Sequence, residues 1–272
     1  MPAPNQITIS QLNRLIGTPE CPVLVDVCLD EAIEEDPYLI PGSFRHPHKD
    51  IDGLVRKLDG RSSVIICQKG KKLSEGVTAW LRHEGLAAET LEGGMYGWRD
   101  KQLPRIPVDK LPPRDAQGRT VWVTRLRPKI DRIACPWLIR RFVDPTAVFL
   151  FVARQEVEAV SERFNATPFD VEDTFWSHRG EKCTFDTMVE EFGLDFEPLS
   201  HLAKIVRGAD TDQLDLTPQS AGLMAASLGL SRMYRDDVAQ LDAGMGLYDA
   251  FYRWCRDAAD ETHDWPGAHG GK

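Results

Sequence analysis

Apolar and polar residues change places in short blocks over the first hundred positions. Residues 7–16 form a short amphipathic run, with Ser10 a candidate N-cap, and predict a helix. Residues 23–27 are apolar and rich in β-branched side chains, which predicts a strand. Residues 50–58 have helical amphipathicity, and 64–66 are a wholly apolar run of the kind found in strands covered on both faces. A helix is predicted over 74–84, and a short last strand opens at 90–91. Strands alternating with helices predict a parallel sheet covered by helices.

Four prolines (Pro104, Pro107, Pro112 and Pro113) and alternating charges interrupt the pattern and predict a linker over 104–120. Beyond it, strands are expected at 121–124 and 147–152, with helices at 133–142 and 156–164. Pro136 falls near the first turn of the helix at 133–142. The remainder turns helical, with segments at 185–192, 197–206, 218–228 and 236–256. The division expected is therefore an α/β domain at 1–103, the linker at 104–120, and an α+β, largely helical domain at 121–259. A disordered tail is expected at 260–272, including His263, Trp265 and Pro266.

A length of 272 residues suits two domains, and 42% hydrophobic with 28% charged residues is a globular profile. No apolar run approaches the roughly 20 residues of a membrane span. Positions 1–10 lack both a basic residue and an apolar stretch, so no signal peptide is expected and a cytoplasmic location is. A formal charge of −9 argues against nucleic acid as the main partner. Six cysteines without a CxxC pair read as separate thiols.

The first candidate site is the run from Val64 to Ser74, VIICQKGKKLS. Cys67 stands where a buried strand gives way to a loop leading into a helix. Successive backbone N–H groups there, with the helix dipole behind them, stabilise a thiolate. Gly70 allows a tight curl, and Lys69, Lys71 and Lys72 add positive charge for an anionic donor, with Ser74 close behind. A buried strand-end cysteine beside solvated lysines is the bland alternative; the combined features favour the site.

With Asp26-Val27-Cys28, Ile40-Pro41-Gly42-Ser43 and Leu91-Glu92-Gly93-Gly94 followed by Trp98, this segment resembles the rhodanese family. The resemblance implies a rhodanese-like fold and a Cys67 that cycles through a persulfide, taking sulfur from a small donor and passing it to a thiol acceptor. Two departures stand out. Lys72 and Leu73 occupy loop positions where the family carries arginine and serine, and Cys28 replaces the arginine of Asp-Val-Arg. Lysine cannot fork onto thiosulfate as arginine can, so the donor does not follow. The resemblance also brings Cys28 towards Cys67, either as a resolving thiol or as an apolar filler.

Residues 124–142 hold five arginines and one lysine in an otherwise acidic chain. Cys135 precedes Pro136, a proline suited to the first position of a helix, where the dipole could acidify the thiol and make it redox-active. Arg125, Arg132 and Arg140 could converge on an oxyanion; surface ion pairs and a packed cysteine are an equal reading. A second cluster holds His178, Cys183 and Asp186, followed by His201, Asp210 and Asp212. Its residue types suit a transition metal, with His178, Cys183, Asp186 and Asp210 as ligands, although the spacing matches no standard zinc motif. A capped helix start beside a loop histidine is the alternative.

Together with Pro168-Phe169-Asp170, Val206-Arg207-Gly208-Ala209-Asp210-Thr211 and the closing run from Gly244 to Tyr252, these motifs resemble the C-terminal domain of ChrB-type chromate-resistance proteins. That resemblance implies a bacterial role in chromate resistance. Family members often carry a DNA-binding N-terminal region, and here a rhodanese-like segment stands in that place.

The resulting expectation is a sulfurtransferase coupled to a domain that binds an oxyanion or a transition metal, in chromate and oxidative-stress defence. No cofactor is fixed by the sequence; iron, manganese or zinc would suit the second domain. Expected partners are a small sulfur donor, a thiol acceptor and chromate or a similar oxyanion, with no membrane and no nucleic acid; a homo-oligomer is left open. The alternatives are a non-enzymatic chromate-responsive sensor and a metalloenzyme acting on reactive oxygen species.

Overall fold

The computed structural model describes residues 5–261, so the expected tail lies outside the described residues from position 262 onward, His263, Trp265 and Pro266 included. The first half carries β1 (Gln6–Ile7), α1 (Ile9–Leu15), β2 (Val23–Asp26), α2 (Asp30–Glu35), β3 (Tyr38–Leu39) and β4 (Ser43–Arg45). These are followed by α3 (Ile51–Leu58), β5 (Ser63–Ile66), α4 (Lys72–His83), β6 (Ala88–Leu91) and α5 (Gly94–Asp100). Five strands form one parallel sheet in the order β1-β6-β5-β2-β4. The central β5 is buried at every position, as its apolar run requires when helices cover both faces. Asp26 is in register with both Ile66 and Arg45, so the ends of β2, β5 and β4 share one edge. Chain segments leaving that edge are where parallel sheets place ligand sites.

Two helix starts differ from the sequence reading. Thr8, not Ser10, caps α1, because Gln11 three residues on completes a reciprocal capping box. Helix α4 begins at Lys72, so Ser74 turns inward within its first turn and is fully buried.

The expected linker is an ordered strap. Its β7 (Ile106–Pro107) pairs antiparallel with β3, Ile106 is buried, and Arg105 donates twice to Asp36 at 2.8 Å. Further on, Lys110 reaches Glu191 in the second half at 2.7 Å.

The second half has a small parallel sheet, with β8 (Val121–Arg125) between β9 (Val148–Val152) and β10 (Thr167–Pro168). Its helices are α6 (Asp131–Leu138), α7 (Val157–Phe164), α8 (Thr184–Glu191), α9 (Glu197–Asp210), α10 (Pro218–Met233) and α11 (Asp237–Asp257). Trp137 anchors the core, with ring centroids 5.8 Å from Phe142 and 5.5 Å from Tyr252. One apolar core runs through both halves. Gly17, at φ +82°, lies so close to Phe142 that a Cβ there would come within 2.3 Å of the ring. Arg256 of α11 donates to the Arg14 carbonyl at 3.0 Å.

Helix α6 corrects the reading of Cys135. The helix starts at Asp131, after an Ile130 held at φ +34°, and Pro136 lies in its interior rather than at its first position. Pro136 removes an intrahelical donor, and the helix widens into a π turn over Ile139–Val143. Cys135 is therefore a fully buried interior residue, far from the positive end of the dipole. Burial, with Asp131 and Asp170 adding to it, pushes its thiol well above the usual range.

Candidate functional site

Two sites stand out. In the first, Cys67 follows β5 and the loop 67–71 returns into α4. Gly70 sits at φ +64°, and a Cβ on it would fall 2.3 Å from the Leu91 carbonyl oxygen. Gly94, at φ +58°, is pressed against the same loop, where a Cβ would fall 2.1 Å from the Cys67 oxygen. Backbone thus packs directly on backbone, and two N–H groups of α5 tie the loop down. Met95 donates to Cys67 O at 3.0 Å and Tyr96 to Gln68 O at 2.9 Å. Cys67 is buried with 6% exposure, its Sγ 3.1 Å from Ser74 Oγ and 3.7 Å from Lys71 O. Lys69, Lys71 and Lys72 are exposed around this loop, and none has an ion pair among the described residues.

Cys28 is buried at the neighbouring strand end, in the same apolar cluster as Cys67. Burial, the Asp26 carboxylate and Cys67 push its thiol far up. Arg45, from β4, donates to Cys28 O at 3.1 Å and pairs with Asp30 at 2.7 Å. A guanidinium thus stands beside the position where the sequence has lost one, and it lines a cavity of about 270 Å³ with Cys28, His46 and His48. An adjoining groove of about 530 Å³ runs past Lys72, Leu73 and Trp80.

The second site gathers four side chains from distant positions. His178 Nε2 lies 3.5 Å from Asp131, 3.4 Å from Asp170 and 3.3 Å from Asp210. Asp131 opens α6, Asp210 closes α9, and Asp170 follows β10 at φ +50°. Thr184, first residue of α8, donates its backbone N–H to Asp131 Oδ2 at 2.6 Å and its hydroxyl to Asp170 Oδ1 at 3.1 Å. Asp131 is 1% exposed, yet its Oδ1 has no hydrogen-bond partner. Ligand atoms of Asp131, Asp170 and His178 lie within 4.8 Å of one another. A cleft of about 240 Å³ is lined by Asp170 and His178 together with Arg125 and Arg154.

Electrostatics follow from this crowding. Burial first, then Asp210 and Asp170, raise the Asp131 carboxyl well above the usual range. Burial would raise Asp170 too, but the hydrogen bond with His178 and the guanidinium groups of Arg132 and Arg125 outweigh it and lower it. Hydrogen bonds to Asp170 and Asp210 push the His178 imidazole up to about 10.

Residues 122–255 match the family described as "ChrB, C-terminal domain". Protein ChrB of Cupriavidus metallidurans is 31% identical over 146 residues, which are 53% of this chain and 43% of that protein. The chain thus spans less than half the length of ChrB. Over 101 residues, 37% of this chain, it is 30% identical to "Putative sulfurtransferase YtwF" of Bacillus subtilis and covers 95% of it. The chain joins a rhodanese-like domain to a ChrB C-terminal domain. Among solved structures, it is similar to SSP1007 of Staphylococcus saprophyticus (29% identity, 37% of this chain, 98% of that one, TM-score 0.32). It is also similar to a rhodanese-like domain protein of Staphylococcus aureus (26% identity, 35% and 91%, TM-score 0.29).

Within the rhodanese-like domain, Cys67, Lys69, Gly70, Lys71, Lys72 and Ser74 lie on one loop and the helix start that follows it. In the ChrB C-terminal domain the picture changes. Of the four expected ligands, His178 and Asp210 meet. Cys183 and Asp186 instead close the N-terminus of α8, where Cys183 N–H and Sγ both donate to Asp186 at 3.0 and 3.2 Å. Cys183 is fully buried, and burial with Asp131 and Asp186 raises its thiol well above the usual range. Asp131 and Asp170 stand beside His178 in their place. Both belong to motifs noted in the sequence, but nothing local marked them as neighbours.

The expected three-arginine convergence is corrected as well. Arg125 and Arg132 both reach Asp170 at 3.2 Å. Arg140 pairs with Asp242 at 3.1 Å and lies over Phe149. Arg132 and Arg140 are thus held by carboxylates on different elements and do not converge on one small anion. Among the described residues, no helix is long and apolar enough to cross a membrane.

Proposed function

We propose that the rhodanese-like domain is a sulfurtransferase working through Cys67, and that the ChrB C-terminal domain places this sulfur chemistry in chromate defence. The observation that carries the first part is the backbone cradle in which Gly70 and Gly94 hold Cys67 beside the start of α4. The Ser74 hydroxyl, 3.1 Å from Sγ, is placed to donate to the sulfur. The Cys67 thiolate attacks the outer sulfur of an anionic sulfane donor. The donor's S–S bond breaks, its electron pair leaves with the remaining anion, and Cys67 carries the transferred sulfur as a persulfide. An acceptor thiolate then takes that outer sulfur and Cys67 leaves as thiolate. Lys69, Lys71 and Lys72 attract the donor, and Arg45 supplies a fixed guanidinium at the neighbouring strand end. Turnover of thiosulfate and of a persulfide donor, compared between wild type and Cys67→Ser, tests the proposal. Equal turnover in the two would refute it.

A second activity centre is favoured by the orphaned Asp131 Oδ1. An unpaired buried carboxylate oxygen costs on the order of 1–3 kcal/mol, and a cation supplies its missing partner. The carboxylates of Asp131 and Asp170 with the His178 imidazole, without a thiolate, suit manganese, iron or zinc. The same carboxylates hold a protonated His178 as an internal ion-pair network, which is the competing reading. A bound ion would displace that proton and act as a Lewis acid or redox centre at the cleft. Elemental analysis of protein expressed with each metal separates the readings. Substoichiometric metal in every preparation would leave only the ion-pair network.

A further inference from the structure

A third feature lies apart from both sites. A cleft between the two domains has a volume of about 400 Å³, and Cys21, Ser62 and Thr146 are among the residues that line it. It lies at the leading ends of β2 and β5, since Cys21 precedes Val23 and Arg61 precedes Ser63. Cys67 follows the trailing end of β5, so four residues of strand, about 13 Å, separate the two. The cleft also receives Arg140, the arginine that turns away from the His178 group.

Five cationic side chains line this cleft, namely Lys57, Arg61, Arg114, Arg140 and Arg141, against the carboxylates of Glu20 and Asp144. Three of the five are held by carboxylates. Arg114 pairs with Asp144 at 3.3 Å, Arg140 with Asp242 at 3.1 Å, and Arg141 forks onto Asp249 with two bonds of 2.8 Å. Lys57 and Arg61 have no ion pair among the described residues. Lys57 is half-buried, 4.1 Å from the Phe44 ring centroid. Burial and the neighbouring Arg114 lower its ammonium from its ordinary value, while the carboxylates of Asp144 and Asp115 favour its charged form without forming an ion pair with it. Arg61 directs its guanidinium to the carbonyls of Leu58 and Lys57 at 3.1 Å, which fixes it at the rim.

We propose that this interdomain cleft binds a small organic polyanion, phosphorylated or polycarboxylic, gripped by Lys57 and Arg61 and bridging the two domains. Its volume falls in the range of roughly 300–1,000 Å³ of small-molecule sites, which a bare oxyanion does not fill. Pro19, Pro22, Phe44 and Pro145 supply an apolar wall for the carbon skeleton. Charge-assisted hydrogen bonds from two unpaired cations supply the specificity for negative charge. Such a ligand contacts both domains at once, so it stabilises their packing against each other by mass action.

The test is calorimetric titration of the full chain with ADP and, separately, with citrate, using inorganic sulfate as the bare-oxyanion control. At least one of the two organic polyanions is expected to bind and to raise the melting temperature. Which one binds distinguishes the phosphorylated from the carboxylic class. Binding should weaken as salt rises. The Lys57→Gln/Arg61→Gln variant should bind at least about tenfold more weakly, the equivalent of losing one charge-assisted hydrogen bond. Arg61→Gln alone removes only a rim side chain and serves as the variant least able to disturb folding; it should show a smaller loss of the same sign. No binding of either polyanion, sulfate binding as tightly as they do, or unchanged affinity in the double variant would overturn the proposal.

Discussion

Cys67 and Ser74 face each other across the first turn of α4, with Sγ 3.1 Å from the hydroxyl oxygen. The same hydroxyl lies 3.0 Å from the Lys71 carbonyl and donates to it. A hydroxyl has one proton to give. Sulfur and carbonyl both lie within its reach, so donating to a thiolate would mean giving up the bond to Lys71. Ser74 is thus a built-in donor for the charged form of the nucleophile, and it occupies a place in the helix that the loop residues alone do not reveal.

Ser74→Ala is expected to lower kcat/KM for sulfur transfer by about tenfold, the value of one hydrogen bond to a charged group. The melting temperature should change little, because one buried bond to Lys71 is all that the fold loses. Parallel kinetics and thermal melts check this. Unchanged kinetics would remove Ser74 from the site.

Gly94→Ala is expected to destabilise the protein by roughly 2–4 kcal/mol, from overpacking plus a left-handed backbone. The added methyl would lie 2.1 Å from the Cys67 oxygen, and backbone cannot yield as a side chain does. Urea denaturation measures the loss. Activity should fall further than stability predicts, since the loop that carries Cys67 must move.

In the ChrB C-terminal domain, His178→Ala and Asp131→Asn are expected to weaken metal retention by at least about tenfold each. Asp131→Asn keeps the acceptor for Thr184 and removes a charge crowded by Asp170 and Asp210. It should therefore leave the melting temperature unchanged or raise it. If His178 only balances an ion-pair network, Asp131→Asn will instead destabilise the fold and no metal will be found in the wild type.

Mild peroxide is expected to oxidise Cys67 and leave Cys28 reduced. The Cys28 thiol is buried beside Asp26 and held protonated, so it is a poor nucleophile for a Cys67 sulfenate. Peptide mapping under non-reducing conditions checks this; a Cys28–Cys67 linked peptide would give Cys28 a resolving role.

Local patterns carried the rhodanese-like half well. The alternation of apolar runs with amphipathic segments is enough to place a parallel sheet, and the VIICQKG run puts Cys67 at the trailing end of its central strand because strand, glycine loop and helix are contiguous. Contacts made across the fold were less legible. Arg45 reaches Cys28 through strand register, which a single strand does not display. Asp131, Asp170 and Asp210 meet His178 only because the ends of α6 and α9 and the turn after β10 converge. Proximity in sequence favoured Cys183 and Asp186 as ligands, but a three-residue spacing at a helix start serves the capping box first. Pro136 suggested a helix start, whereas the strained Ile130 marks the true one.

The central claim is that Cys67 receives the transferred sulfur. Mass analysis of the full chain after brief exposure to a sulfane donor, followed by peptide mapping, tests it most directly. Wild type should gain one sulfur atom on the peptide containing Cys67, a subsequent thiol acceptor should remove it, and Cys67→Ser should gain none. An unmodified Cys67, or sulfur carried equally by the Cys67→Ser protein, would contradict the account.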